Sequence, residues 1–277
     1  MQFSWDFVLW EVLGTLPFLS NFTLQAVNPS SHPAHASESS NSQSGGPKYF
    51  EALESLCVTD SFFLIQHLLG FIDSPCLRSI KVYPVINPKH EPEDQITPSM
   101  TIIASKWSQS LKNLVIKSSS DGPAQRYPIS KCLLLLTDLH EMQSFHLKDW
   151  RMKKSNDDVR HLVKSWPKLR ILNLDRMPIS LSTLRIIAES CPELRHLYIW
   201  LDASPILPFN TSSKSVHHNL EVLTVVRATP PTITQTILEY QMQVKQHLDL
   251  IFPYMKSIEV HRKDAVWLAI RDLVHLC

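Results

Sequence analysis

The sequence predicts an α/β protein in which short strands and helices alternate from one end of the chain to the other. Three observations support this fold class. A spaced apolar triplet recurs nine times, a proline often stands just before it, and segments with helical spacing fall between the triplets. The fold is therefore expected to be a stack of similar units rather than one irregular core.

In each triplet, a second apolar residue follows the first by three positions, and a third follows after two more. The alternation of the last two predicts a short strand with both side chains on one face. The triplets are Leu19/Phe22/Leu24, Leu53/Leu56/Val58, Leu77/Ile80/Val82, Leu111/Leu114/Ile116, Met142/Phe145/Leu147, Leu169/Leu172/Leu174, Leu194/Leu197/Ile199, Leu220/Leu223/Val225 and Met255/Ile258/Val260.

Successive triplets begin 24 to 35 residues apart, and the shorter steps fall within the range of leucine-rich repeats. Such a unit cannot bury its apolar face alone and must stack on its neighbours. We therefore expect a leucine-rich-repeat solenoid, an arc or horseshoe of about nine irregular repeats. Its strands would line the concave face, and its helices would cover the convex face.

A proline stands two positions before the first residue of five triplets. Proline disfavours the helical conformation in the residue before it, so it ends the preceding helix. The five are Pro17, Pro75, Pro167, Pro192 and Pro253. Each unit is thus expected to run from helix through a proline stop into a strand.

Four segments between the triplets show helical spacing, and one of them is predicted to be capped by Ser155 or Asn156, with Val159, Leu162, Val163 and Trp166 on its apolar face. A second helix is predicted after Ser180 as the N-cap residue. The longest is predicted between Thr232 and Phe252. The fourth, more buried helix is predicted to have its apolar face formed by Phe63, Leu64, His67, Leu68 and Ile72.

Because repeats share one continuous core, residues 1–277 are expected to form a single leucine-rich-repeat domain. Residues 28–48 are rich in serine and lack large aliphatic side chains, which predicts a disordered insertion. Residues 83–98, 118–128 and 202–218 are predicted to be loop insertions, of the kind that repeats tolerate at little entropic cost.

The charge balance and the apolar runs limit the possible partners. The chain has 27 basic and 26 acidic residues, so neither nucleic acid nor an anionic membrane is favoured as a partner. No apolar run is long enough to span a bilayer. Asp6 and Glu11 interrupt the apolar N-terminus, which argues against a signal peptide.

The five cysteines are scattered along the chain, as in proteins of a reducing compartment. The protein is thus expected to be intracellular, either cytoplasmic or nuclear. Only five glycines are present, and no glycine-rich nucleotide loop, zinc-binding spacing or serine-hydrolase motif occurs. We therefore expect a protein that is not an enzyme, with no catalytic residues, cofactor or metal.

The predicted function lies on the strand face, where the residues that flank each inward pair point outward. Aromatic side chains ringed by polar groups resemble the hot spots of protein interfaces. In an alternative interpretation, Trp200 packs beneath the 202–218 loop as part of a lid. The residues predicted to bind a protein on the concave face are His146, Lys148, Asn173, Asp175, His196, Tyr198, Trp200, Thr224, Glu259 and His261.

The segment Ser190-Cys191-Pro192-Glu193-Leu194-Arg195-His196-Leu197-Tyr198-Ile199 resembles the leucine-rich region of F-box proteins. The helix end Leu250-Ile251-Phe252-Pro253 and the later Ala265-Val266-Trp267 are similar to the large fungal set of these proteins. The resemblance implies a substrate receptor of a cullin-type ubiquitin ligase, whose repeats grip the substrate.

The F-box, a helical segment that usually opens with Leu-Pro, is not found. Here Leu16-Pro17 leads directly into the first triplet. We therefore expect either a chain that lacks its N-terminal part or a relative made only of repeats. A ligase adaptor and a cullin would be partners only if an F-box lies upstream. The alternative is a free-standing interaction scaffold unrelated to ubiquitination.

Overall fold

A computed structural model of the chain describes residues 12–25, 49–85, 92–118, 130–150, 155–203, 218–228, 236–260 and 265–274. Within these ranges the protein is α/β, with nine strands in one parallel sheet that does not close into a barrel. Each strand pairs with the strands that precede and follow it in sequence, so spatial order repeats chain order. A parallel sheet requires a crossover between neighbouring strands, and helices supply most of these crossovers.

The strands contain between 4 and 10 residues. They are β1 Asn21–Gln25, β2 Ser55–Ser61, β3 Ser79–Val85, β4 Asn113–Lys117, β5 Ser144–Lys148, β6 Ile171–Ser180, β7 His196–Asp202, β8 Val222–Ala228 and β9 Ser257–Val260.

Helices form a second layer along the sheet. They are α1 Phe62–Phe71, α2 Pro92–Trp107, α3 Ser130–Leu134, α4 Ser155–Ser165, α5 Leu181–Ser190, α6 Ile237–Ile251 and α7 Ala265–Val274. A 3-10 turn, Leu135–Asp138, continues α3. Neighbouring helices contact one another, as α1 does α2 and α6 does α7.

The last two residues of each predicted triplet are confirmed as alternate positions of the nine strands, and the first residue lies two positions before the strand. The middle residues of the triplets pair across the whole sheet in one row: Phe22, Leu56, Ile80, Leu114, Phe145, Leu172, Leu197, Leu223 and Ile258. All of these except the half-buried Phe22 are buried beneath the helices. Full burial of one such side chain stabilises the fold by roughly 2 kcal/mol, so this row is a major part of the hydrophobic core.

Polar links join the helical ends of successive units. Three buried rings, each two to four positions before a triplet, donate to a backbone carbonyl of the previous unit. The Nε1 of Trp107 donates to the Ser74 carbonyl at 2.8 Å, and the Nε1 of Trp166 to the Leu136 carbonyl at 3.1 Å. The Nε2 of His218 lies 2.7 Å from the Cys191 carbonyl.

Helix α1 corresponds to the more buried predicted helix, and the apolar face predicted for it is wrong in part. Helix α1 buries Phe62, Ile65, Leu68 and Leu69, whereas Phe63 is 53% exposed and lies against the exposed ring of His67. The cause is the start of the helix. Ser61, the last residue of β2, caps α1 by accepting from the Leu64 amide, so Phe62 occupies the first inward position.

The loop predicted at 83–98 is wrong at both ends. Strand β3 continues to Val85, and helix α2 begins at Pro92. Proline suits the first helical position because its missing amide would have no partner there. Glu93 and Asp94 follow in the first turn, where negative charge complements the helix dipole. The acidic, proline-containing segment is therefore the start of a helix.

The other predicted insertions fall largely outside the described residues, which contain nothing of 28–48 and only Ser118 of 118–128. Of 202–218, Asp202 ends β7 and His218 is buried. The longest predicted helix is present but shorter, since α6 begins after the N-cap Thr236. Thr236 and Glu239 form a capping box, in which each side chain accepts from the other's backbone amide.

Candidate protein-binding site

The face of the sheet turned away from the helices, here called the open face, carries the predicted site. Side chains alternate across a strand, so the residues between the buried positions point to this face. In β7, for example, Leu197, Ile199 and Leu201 are buried, whereas Tyr198 and Trp200 are half-exposed. The open face is therefore accessible along strands whose other face forms the core.

Five of the predicted residues lie in one row across β5 to β9. The paired positions are His146, Asn173, Tyr198, Thr224 and Glu259. Neighbouring strands are about 4.8 Å apart, so side chains that are distant in sequence become direct neighbours. The register brings these five predicted residues together.

His146 is held as a neutral, hydrogen-bonded ring. Its Nε2 lies 2.9 Å from the Ser144 hydroxyl, and its buried Nδ1 has no partner among the described residues. Burial lowers the pKa of His146 to about 4, and the positive charges of Lys148 and Lys81 add to this effect. His146 therefore contributes shape and polarity to the open face but no charge at neutral pH.

Asn173 and Asp175 belong to the most irregular part of the sheet. Asn173 is only 7% exposed, and its buried Oδ1 has no partner in the described part of the chain. Between Leu174 and Pro178 the register of β6 against β7 shifts. Asp175 lies in this bulge and accepts from the Asp149 amide at 3.2 Å, and burial raises the pKa of its carboxyl.

Asp149, which follows β5, has a left-handed backbone with φ 66°. Its side chain forms a 2.6 Å ion pair with Arg176. The bulge and this turn are thus tied together at the end of β5. Lys148 lies next to them and is half-exposed.

Trp200 has a neighbour that the strand pattern did not predict. The register shifts again between Ile199 and Trp200, and Trp200 pairs with Arg227 on one side and Pro178 on the other. The Arg227 guanidinium lies 4.6 Å from the centre of the Trp200 ring, a cation–π contact. Of the loop proposed to cover Trp200, residues 204–217 lie outside the described ranges.

The remaining predicted residues differ in accessibility. Thr224 is buried and donates to the Glu259 carboxylate at 3.1 Å, which leaves Glu259 as the exposed member of that pair. His196 is half-buried at the start of β7. His261 lies outside the described residues.

Arg227 was missed because the bulge breaks the alternation on which the strand prediction depends. Lys81 and Lys117 also belong to the open face and are exposed. They stand at flanking positions of the β3 and β4 triplets, so the strand pattern placed them on this face but did not single them out.

The described part of the chain holds no group of three or more His, Cys, Asp or Glu side chains arranged to bind a metal. Its four cysteines, Cys57, Cys76, Cys132 and Cys191, are free thiols. Burial raises the pKa of Cys132 to about 11 and that of Cys191 to about 12. These two thiols remain protonated at neutral pH and are weak nucleophiles.

Comparison with known proteins finds no family model and no curated protein that matches this chain. Among the helices that the structure describes, none combines the length and the apolar character needed to cross a bilayer.

Proposed function

We propose that the chain is a leucine-rich-repeat module that binds another protein on its open face. The observation that carries this proposal is the open face itself, since none of the helices that the structure describes covers this side of the nine-stranded sheet. That side presents Tyr198 and Trp200 among polar side chains. A stack of repeats has a long exposed surface of this kind, which can bind another macromolecule along its length.

The second step of the proposal is that the module recognises substrates for an F-box-type ubiquitin ligase. Its support is the resemblance of residues 190–199 and of the C-terminal segments to the repeats of fungal F-box proteins. In such a receptor the repeats would hold the substrate, and an F-box elsewhere would hold the ligase adaptor. The competing proposal is a free-standing scaffold that binds a protein without a ligase.

The binding proposal predicts that Tyr198→Ala together with Trp200→Ala removes partner capture from a folded protein. Large aromatic side chains at the centre of an interface often contribute 2 kcal/mol or more each, so affinity should fall by at least about thirtyfold. Capture of partner proteins by the immobilised chain, quantified by mass spectrometry, measures this loss.

The matched control is Phe63→Ala together with Tyr254→Ala, which removes two exposed aromatic rings outside the open face. Circular dichroism checks that both double variants fold. If the open-face variant is folded and captures the same partners as the unaltered chain, the proposed site is wrong.

The ligase step has its own test, affinity purification of the tagged endogenous product with its bound proteins. Co-purification of a ligase adaptor and a cullin supports the receptor. A set of stable partners without any ligase subunit favours the scaffold.

A further inference from the structure

Three lysines form a basic patch on the open face, at one end of the proposed binding surface. Lys81 on β3, Lys117 on β4 and Lys148 on β5 are here called the lysine patch. The open-face positions of β2 to β5 include no aspartate or glutamate. The open-face carboxylates lie further along, at Asp175, Asp202 and Glu259. The open face is thus electrically polarised along the stack.

Two of these lysines face each other directly. Lys117 and Lys148 are register partners on neighbouring strands, which are about 4.8 Å apart. Like charges directly opposite one another destabilise a sheet. Lys81 pairs with Val115, two residues before Lys117, so the third charge lies diagonally across from the pair.

The three lysines lack ion-pair partners within the described ranges. In the described part of the chain, no carboxylate forms an ion pair with Lys81, Lys117 or Lys148, although Lys148 is close enough to Asp175 to lower the pKa of that carboxyl.

Basic residues at the N-terminal ends of the strands behave differently. Arg170 pairs with Glu193 at 3.0 Å, and Lys256 pairs with Glu221 at 3.2 Å. These two cations therefore have carboxylate partners, whereas no ion pair with the lysine patch is present in the described part of the chain.

The field of the patch acts on the side chains beside it. Burial lowers the pKa of His146, and the charges of Lys148 and Lys81 lower it further. Burial raises the pKa of the Cys57 thiol, and the charge of Lys81 opposes this rise in part. The open-face residues beside the lysines include Cys57, Ser144 and His146, which are polar and carry no negative charge.

We propose that the lysine patch binds an extended acidic segment of the partner protein, with carboxylates seated between Lys117 and Lys148 and beside Lys81. This inference rests on the proposed protein-binding function and names the chemistry of the segment that is bound. Such a segment supplies the counter-charge that relieves the Lys117–Lys148 repulsion. A nucleic acid fits less well, because three cations are few for a phosphate backbone and the whole chain has a net charge of only +1.

The test measures binding of a short fluorescent oligo-glutamate peptide to the full chain, with oligo-glutamine of equal length as the uncharged control. The patch variant is Lys81→Ala with Lys117→Ala and Lys148→Ala. The matched variant is Lys112→Ala with Lys131→Ala and Lys164→Ala, which removes the same charge away from the open face. Circular dichroism and thermal melting verify that both are folded.

We expect oligo-glutamate but not oligo-glutamine to bind, more weakly as salt rises. The patch variant should lose about tenfold in affinity, since each exposed ion pair contributes modestly, and the matched variant less than about twofold. Absence of oligo-glutamate binding, or equal losses in the two variants, would overturn the proposal. So would equally tight binding of a single-stranded oligonucleotide that is lost in the same variant.

Partner capture by the patch variant separates this inference from the proposed function. If Tyr198→Ala with Trp200→Ala removes capture while the patch variant retains it, the module binds a protein but not through an acidic segment. If neither variant affects capture, the open face is not the binding surface, and both proposals fail.

Discussion

His218 illustrates how a single buried side chain joins two units of the stack. Its ring is 1% exposed, packs edge-on against Phe252 and lies 2.7 Å from the Cys191 carbonyl. Because a carbonyl only accepts, Nε2 carries the proton, and Nδ1 has no acceptor among the described residues. A second proton on the ring would therefore be buried without a partner, and burial accordingly lowers the pKa of His218.

This arrangement predicts that the protein loses stability in mild acid. The pKa of His218 is lower in the folded chain than its ordinary value near 6.5, and that of His146 is lowered to about 4. The unfolded chain therefore binds more protons, so the free energy of unfolding decreases as pH falls below about 6.5. Each histidine contributes at most about 1.4 kcal/mol per pH unit.

Urea unfolding of the unaltered chain and of His218→Gln at several pH values measures this slope. Glutamine can still donate to the Cys191 carbonyl but does not titrate, so the slope below pH 6.5 should become shallower. His67→Gln, on the exposed surface of α1, is the control. An unchanged slope in His218→Gln would show that this ring does not resist protonation.

Among the elements, the strands could be predicted well and the helices less well, for a physical reason. A strand triplet combines alternation with burial of the inward residues, which is complete in every strand except at Phe22 and Val260, and the middle residues of all nine triplets lie in one row. The inward face of a helix depends instead on its first residue. In α1 the cap at Ser61 shifted that face by one position and left Phe63 exposed.

The candidate site could be predicted only as far as the alternation holds. The alternation of inward and outward residues correctly placed His146, Asn173 and Tyr198 side by side. It could not place Arg227 beside Trp200, because the register of β7 against β8 shifts after Ile199. Such a shift depends on how the two strands pack together and not on the sequence of either strand alone. The unsatisfied amide oxygen of Asn173 also depends on tertiary packing.

Helix α2 is tied to the preceding unit through its last residue, and this link can be tested. The Nε1 of Trp107 donates to the Ser74 carbonyl, whereas the Leu136 carbonyl that Trp166 contacts also accepts from the Leu139 amide at 3.2 Å. Trp107→Phe should therefore destabilise the protein by about 1–3 kcal/mol beyond the loss of ring volume, because a buried carbonyl loses its indole donor.

Trp166→Phe is the matched control, since it removes the same atoms from an equally buried ring but leaves the Leu136 carbonyl with a partner. Chemical denaturation of both variants gives the difference. Equal losses would mean that packing of the rings, not the hydrogen bond, determines stability at this position.

At the scale of the whole molecule, most contacts join elements that are neighbours in sequence. Every strand contacts the strands next to it in sequence, and among the described residues β1 and β9 each pair with one strand only. If the chain is the proposed stack of repeats, its free energy of unfolding is approximately a sum of unit and interface contributions, so the units of β1 and β9 should open more easily than the central ones.

Hydrogen exchange followed by mass spectrometry should therefore show a gradient along the chain. Amides of β5, β6 and β7 are expected to exchange at least about tenfold more slowly than those of β1 and β9. Equal protection of all nine strands would indicate a single cooperative unit and would contradict this expectation.

The sequential strand order has a mechanical consequence. Because no strand is inserted between two others that precede it in sequence, tension applied to the chain at β1 and β9 does not have to break the whole sheet at once. The tension can detach one strand and its helix, which adds unfolded chain at that end. It then acts on the next strand. The molecule should thus unfold under force in successive steps that begin at its terminal strands. It should refold in the reverse order when the force is released.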